Sequence, residues 1–282
     1  MLEVIFLFVL ALVWIAFATA QDLKTREVAN WLNFSLIVFA LGFRFFYSLF
    51  SAGGFGFFYQ GLFGLGVFFV LGNLLYYGKM FAGGDAKLLI ALGAVLPVSE
   101  SFYDNLEGFL FFLAIFLLVG AFYSIIVSFW FCFKNFDKFR KEFRQQFKIN
   151  RKMFILSLLF SIALLILSYA NFYLIFIAVI IFIFPYLYLY AKAVDETAMV
   201  KNLDSKKLRE GDWLYKDVKV KGKTIKANWG GLTKEEISLL RKNHKKIRIR
   251  EGVAFTPVFL VSFLVWFYLW SKGFEALGNS FW

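Results

Sequence analysis

The stretch Ala82-Gly83-Gly84-Asp85-Ala86-Lys87-Leu88 sets one acid between two long apolar runs, residues 55–78 and 86–98. A carboxylate at the edge of a bilayer core is costly and is kept there for a specific task. The paired glycines give a backbone that bends, or that lets another chain come close. Asp85 also falls where a new helix begins, and there free N–H groups and the helix dipole favour a charged carboxylate. One reading is that Asp85 merely caps that helix. A second acid placed likewise, Asp22, supports another: two carboxylates brought to one membrane face.

The rest of the chain suits such a setting. Of its 282 residues 61% are apolar and 41 are Phe, and the mean hydropathy is +0.70. Several runs reach the ~20 residues needed to span ~30 Å of hydrocarbon. The expected fold is an all-α polytopic membrane protein with a small cytoplasmic α+β domain. About eight transmembrane helices are expected; six or seven stay open, seven if residues 153–190 form one tilted helix. A lone Cys132 excludes a disulfide framework within the chain and a four-cysteine zinc site. His244, also alone, reads as a solvated surface residue. Neither a metal nor a cofactor is expected. A net charge of +12 is compatible with nucleic-acid binding, but the basic residues concentrate in 134–152 and 192–251. Such segments read as cytoplasmic loops beside anionic lipid headgroups.

In chain order, residues 2–20 form the first span. Ala18-Thr19-Ala20 resembles a signal-peptidase site, yet the start Met-Leu-Glu has no basic residue and the run is long, so the helix is expected to be retained. Asp22, Lys24, Arg26 and Glu27 make a short charged connection. Residues 31–50 are the second span, with Arg44 snorkelling outward or pairing inside the bundle. Residues 57–77 are the third, with Gly61, Gly64 and Gly66 for tight packing. The fourth runs from Asp85 to about Pro97 and covers only about 20 Å. Residues 99–107 carry acids and no Lys or Arg, as an outer loop would; 106–133 are the fifth span.

Phe133, Phe136, Phe139, Phe143 and Phe147 then recur at steps of three or four, with Lys134, Lys138, Lys141, Arg144 and Lys148 between them. That pattern is an amphipathic helix lying in the headgroup region. Residues 153–190 divide at 168–171 into a transmembrane hairpin. In the soluble piece a hairpin is expected around Lys221-Gly222-Lys223, a capping box at Thr233–Glu236 opening a helix through about Asn243, and a strand through Ile247 and Ile249. Residues 255–270 close the chain. The implied divisions are 1–133 with both acids, 134–152, 153–190, 191–252 and 253–282. With all basic segments inside, both termini lie outside and Asp22 and Asp85 share the cytoplasmic face.

Two adjacent carboxylates cannot both ionise easily, so the pair shares a proton. The ionised member can take a proton from water while the protonated one polarises a carbonyl, with no metal needed. Alternatively each acid pairs with Lys24, Arg26, Lys79 or Lys87. The same acids could serve a proton- or cation-coupled transporter, although they lie near one face and no internal repeat is visible. A structural protein recruiting a partner through its basic piece is a third reading, but the hairpin lacks the aromatic residues of a base-stacking surface.

Asp22-Leu-Lys-Thr-Arg26-Glu-Val-Ala-Asn30, just after a first helix, resembles the first-aspartate motif of type IV prepilin peptidases. Gly83-Gly84-Asp85-Ala86-Lys87-Leu88 is similar to their second motif, in the wider group of Gly-x-Gly-Asp membrane aspartyl proteases that includes presenilin. The lack of a cysteine-bearing methylase segment, and the stretches 231–237 and 250–257, resemble the archaeal branch, the preflagellin (prearchaellin) peptidases. Ala82 and Ala29 depart from the family pattern, where glycine and often proline stand. The resemblance implies Asp22 and Asp85 as catalytic acids and Gly83 and Gly84 as the flexible approach to the second. For Arg26, Asn30 and Lys87 it implies motif membership, and we expect them to orient the loop or bind substrate backbone and headgroups. The implied substrate is a pilin-like or archaellin precursor that loses a short basic leader at the cytoplasmic face. The scissile bond must be extended there, since a helical peptide bond is occupied by its own hydrogen bonding. The sequence leaves the oligomeric state open.

Overall fold

The structure, a computed structural model, describes residues 2–51, 53–220 and 222–272; the end of the expected last segment, 273–282, lies outside the described residues. Among these, ten α-helices succeed one another: α1 (Leu2–Thr25), α2 (Asn30–Phe50), α3 (Gly56–Tyr77), α4 (Gly83–Gly93), α5 (Phe102–Lys134), α6 (Phe136–Ile149), α7 (Arg151–Leu167), α8 (Tyr173–Val194), α9 (Lys234–Asn243) and α10 (Thr256–Ser271). The strands are β1 (Val200–Asp204), β2 (Trp213–Leu214), β3 (Val218–Val220), β4 (Lys223–Ile225) and β5 (Lys246–Arg250). Two units divide them, residues 1–124 with 253–282, and residues 125–252.

Among the described residues five helical segments are long and apolar enough to cross a membrane: α1, α2, α3, α5 and Tyr173–Met199; α6 with α7, bent by 70°, adds a sixth if the pair is one span. The chain is therefore a multi-pass membrane protein. Three of the eight expected spans fall on shorter helices: α4, α7 and α10, of 11, 17 and 16 residues.

In the first unit, α1 continues past its apolar run, so Asp22 lies in its last turn and not in a connection. The helix stops at Arg26, which adopts a left-handed conformation (φ 60°) and donates its N–H to the Asp22 carbonyl at 2.8 Å. That single bond is the left-handed helix stop usually given to glycine. Ala29 then caps α2, its own N–H donating to Gln21 Oε1 at 3.0 Å.

Helices α3 and α4 meet through glycines. A Cβ on Gly64 would lie 2.6 Å from Pro97 Cγ, one on Gly72 2.6 Å from Ile90 Cγ1, and one on Gly93 2.6 Å from Phe68 Cβ. Gly66 faces open space, so of the expected packing glycines it alone is not used; Gly72 and Gly93 take part instead.

The end of α4 is met by a residue of α2. Arg44 is fully buried and does not snorkel, and among the described residues it forms no ion pair. Its Nε donates to the Ala94 carbonyl at 2.9 Å, Nη1 to that of Phe57 at 2.9 Å, and Nη2 to those of Val95, at 3.1 Å, and Pro97. The guanidinium also stands 4.2 Å from the centre of the Phe57 ring. Carbonyls freed at a helix end must find donors inside a membrane, and a five-donor planar fork supplies them. The helix ends at Gly93 rather than running to Pro97, and Arg44 satisfies the carbonyls that this leaves. Asn105 holds the residues just beyond that proline, accepting from the N–H groups of Val98 and Ser99, both at 3.0 Å.

In the second unit α7 and α8 form a hairpin that breaks between Leu167 and Tyr173, tied by Ser161 Oγ donating to the Ala178 carbonyl at 2.9 Å. The amphipathic stretch is α6, where Phe139 packs on Phe143 and Tyr190, and Phe147 on Phe154. Strands β1, β5 and β2 make an antiparallel sheet in that order, and β3 and β4 a hairpin in which Val218 faces Ile225. Gly222 supplies the φ of +84° that its tight turn requires. Helix α9 opens on the Thr233–Glu236 capping box, with both reciprocal bonds formed. The apolar positions of these elements, among them Leu208, Leu214, Ile225, Leu240, Ile247 and Ile249, share one small core.

Candidate active site

Asp22 is nearly sealed, with 7% of its surface exposed. Its Oδ2 accepts two hydrogen bonds from the first residue of α10: Thr256 N–H at 3.2 Å and Thr256 Oγ1 at 2.9 Å. Thr19, one turn earlier on α1, donates its hydroxyl to the Thr256 carbonyl at 3.4 Å. From α5, Tyr123 donates its hydroxyl to the Ala254 carbonyl at 2.7 Å, within range of the charges of Asp22 and Arg26.

Asp85 is partly buried at the third position of α4. The helix N-cap is Ala82, and the Asp85 carboxyl turns back to the Ala82 backbone, so the capping role is part of what it does. Asp22 lies near enough for its charge to act on Asp85. Among the described residues neither acid takes part in an ion pair. The alternative in which each acid pairs with Lys24, Arg26, Lys79 or Lys87 finds no ion pair among the described residues. Lys87 instead donates to Asn30 Oδ1 at 2.7 Å, linking the starts of α4 and α2. Arg26 contributes through its backbone, as the stop of α1.

Of the two readings of the paired glycines, a close approach by a neighbour is not what the structure has here. A Cβ on Gly84 would stand 3.4 Å from Val28 Cβ, and one on Gly83 3.6 Å from Tyr76 Cε2, both ordinary contacts. Neither has a positive φ. In this state the Gly83-Gly84 pair is not there to admit a neighbour, and neither residue needs a conformation reserved for glycine. Four helix ends thus converge, the last turn of α1 and the first turns of α2, α4 and α10, with Tyr123 from within α5 beside them.

Residues 9–131 match the model of the type IV leader peptidase family. This stretch is prepilin peptidase-like. No curated protein and no solved structure matched. The leader peptidase match includes Asp22, Asp85 and Tyr123 and ends before α6 and α10. It supports a membrane protease of prepilin type, with pilin-type precursors as substrates.

Sequence reasoning missed Thr256, Tyr123 and Gln21 as parts of this site. Pro257, second in α10, does mark a helix start in the sequence. Nothing local shows that the start lies against a residue 234 positions earlier.

Proposed function

We propose that this protein is a membrane-embedded aspartyl endopeptidase that removes the short basic leader of type IV pilin-like or archaellin precursors, with Asp22 and Asp85 as its catalytic pair. The observation that carries the reading is that two carboxyl groups lie within range of each other's charge, at helix ends, with no cation among the described residues paired to either. A shared proton makes one carboxyl the base and the other the acid. The base removes a proton from water, and the water oxygen bonds to the scissile carbonyl carbon while the acid gives its proton to the carbonyl oxygen. On collapse the C–N bond breaks. The nitrogen leaves protonated as the new amino terminus, and the leader keeps the carboxylate. Asn30 and Lys87 hold α2 to α4 beside the pair, and Gly83-Gly84 let the acids close on an unwound substrate.

The test is to reconstitute the wild type, Asp22→Asn and Asp85→Asn with a pilin-like precursor and monitor leader loss on a gel. Either substitution abolishes cleavage and leaves the protein folded; cleavage surviving in both removes the reading. We further propose eight spans, with the site and residues 191–252 facing the cytoplasm. In a Cys132→Ser background, an impermeant thiol reagent then labels Ser101→Cys in intact cells and Ser238→Cys only after permeabilisation. The reverse pattern inverts the topology.

A further inference from the structure

We infer that Thr256 is a positioning residue for Asp22, which makes the first turn of α10 a wall of the reaction site. The inference rests on the peptidase reading of Asp22 and lies outside the family match, which ends at residue 131. The first N–H groups of a helix have no partner within it. In α10 the N-cap is Phe255, which has no side-chain cap, and Pro257 has no N–H to give. Asp22, delivered by α1, takes the place of the missing cap. It receives the Thr256 N–H and hydroxyl on the same oxygen, Oδ2.

This arrangement has a chemical consequence. Two donors occupy the lone pairs of Oδ2, so that oxygen does not carry the proton shared with Asp85. Oδ1 is left to meet the attacking water. A carboxyl free to turn would offer either oxygen, whereas one clamped by two donors offers a fixed one, in place before the substrate arrives. The clamp is itself held, by Thr19 on the Thr256 carbonyl and Tyr123 on that of Ala254.

The experiment compares full-length wild type, Thr256→Val, Thr256→Ser and Asp22→Asn in vesicles with a pilin-like precursor, measuring kcat and KM separately alongside thermal unfolding. Valine keeps the shape and the backbone N–H and loses only the hydroxyl. Thr256→Val lowers kcat by about 10–100-fold, the scale of a misplaced catalytic group, at unchanged KM. Thr256→Ser restores most of it. A Thr256→Val kcat within about twofold of wild type overturns the inference. So does a serine variant as slow as the valine one, or a rise in KM alone. If Thr256→Val and Thr256→Ala both fail to fold while Thr256→Ser folds, Thr256 is structural and the inference again fails. An Asp22→Asn variant that still cleaves defeats the peptidase reading itself, separately from this one.

Discussion

The two ends of α4, a helix of eleven residues, handle charge in opposite ways. At the Gly93 end Arg44 is sealed from solvent, and every donor the structure accounts for goes to a backbone carbonyl. At the Gly83 end Asp85 is partly open, has no counter-ion, feels a second carboxylate, and comes after two glycines that a methyl group would not crowd. The first charge completes the fold. The second also helps cap α4, but its charge is left without a counter-ion among the described residues, and such costs collect at functional sites. A buried charge in a membrane protein is thus not by itself a sign of chemistry; the state of its partners decides.

The largest effect expected from breaking this contrast is at Arg44. Arg44→Met leaves the Ala94, Val95 and Pro97 carbonyls without the donors Arg44 gives them and costs on the order of 3–5 kcal/mol, so little folded protein survives detergent extraction. Arg44→Lys recovers part of the loss, because an ammonium keeps the charge but has fewer donors and no planar fork. Monodisperse recovery on size-exclusion chromatography measures both. Wild-type yield of an active Arg44→Met protein would make this end no more structural than the other.

Gly64→Ala comes next. Its methyl meets Pro97 Cγ at 2.6 Å and Phe109 Cζ at 3.1 Å beside the Gly93 carbonyl, and overpacking of this kind costs about 1–3 kcal/mol. The unfolding temperature falls, and cleavage per folded molecule stays near wild type because the acids lie at the other end of α4. A selective loss of cleavage would show that the ends are coupled.

Lys79→Gly works in the opposite direction. Lys79 sits at φ 60° where α3 ends, with Met80 N–H donating to the Leu75 carbonyl at 2.9 Å and its own N–H to that of Tyr76 at 3.0 Å. Glycine fits this left-handed stop without the Cβ clash, and stability rises by about 0.5–1 kcal/mol. Thermal unfolding of the two proteins side by side checks it.

What could be read in the sequence was whatever chain neighbours decide. The Thr233–Glu236 box, the Gly222 turn and the break after Leu167 each depend on a few adjacent residues, and the structure has them where the sequence puts them. Arg44 was visible as an anomaly, but its partners at 94–97 were not, because a carbonyl is freed only once a helix stops. Asp22 was placed in a connection because the apolar run stops at Ala20. The helix itself goes on to the left-handed Arg26, since backbone bonding does not track hydropathy. The juxtaposition of Asp22 with Thr256 depends on how the first and last helices pack, which no local pattern encodes.

The smallest change in stability gives the sharpest test. At Gly84 an added methyl stands in ordinary contact with Val28, and the residue lies in the first turn of α4, where alanine is the better helix former by up to about 1 kcal/mol. Crowding and helix preference nearly cancel, so Gly84→Ala unfolds within about 0.5 kcal/mol of wild type. Rigidity has changed all the same. If the acids must close on an extended substrate by bending the 83–84 backbone, Gly84→Ala slows cleavage while unfolding stays the same. Single-turnover cleavage with pre-bound precursor, measured beside a melting curve, separates the two quantities. Equal loss of both would mean that Val28 is more crowded than its distance implies. An unchanged rate would mean that Asp22 and Asp85 already stand in their working positions, and that the glycines serve some need other than movement.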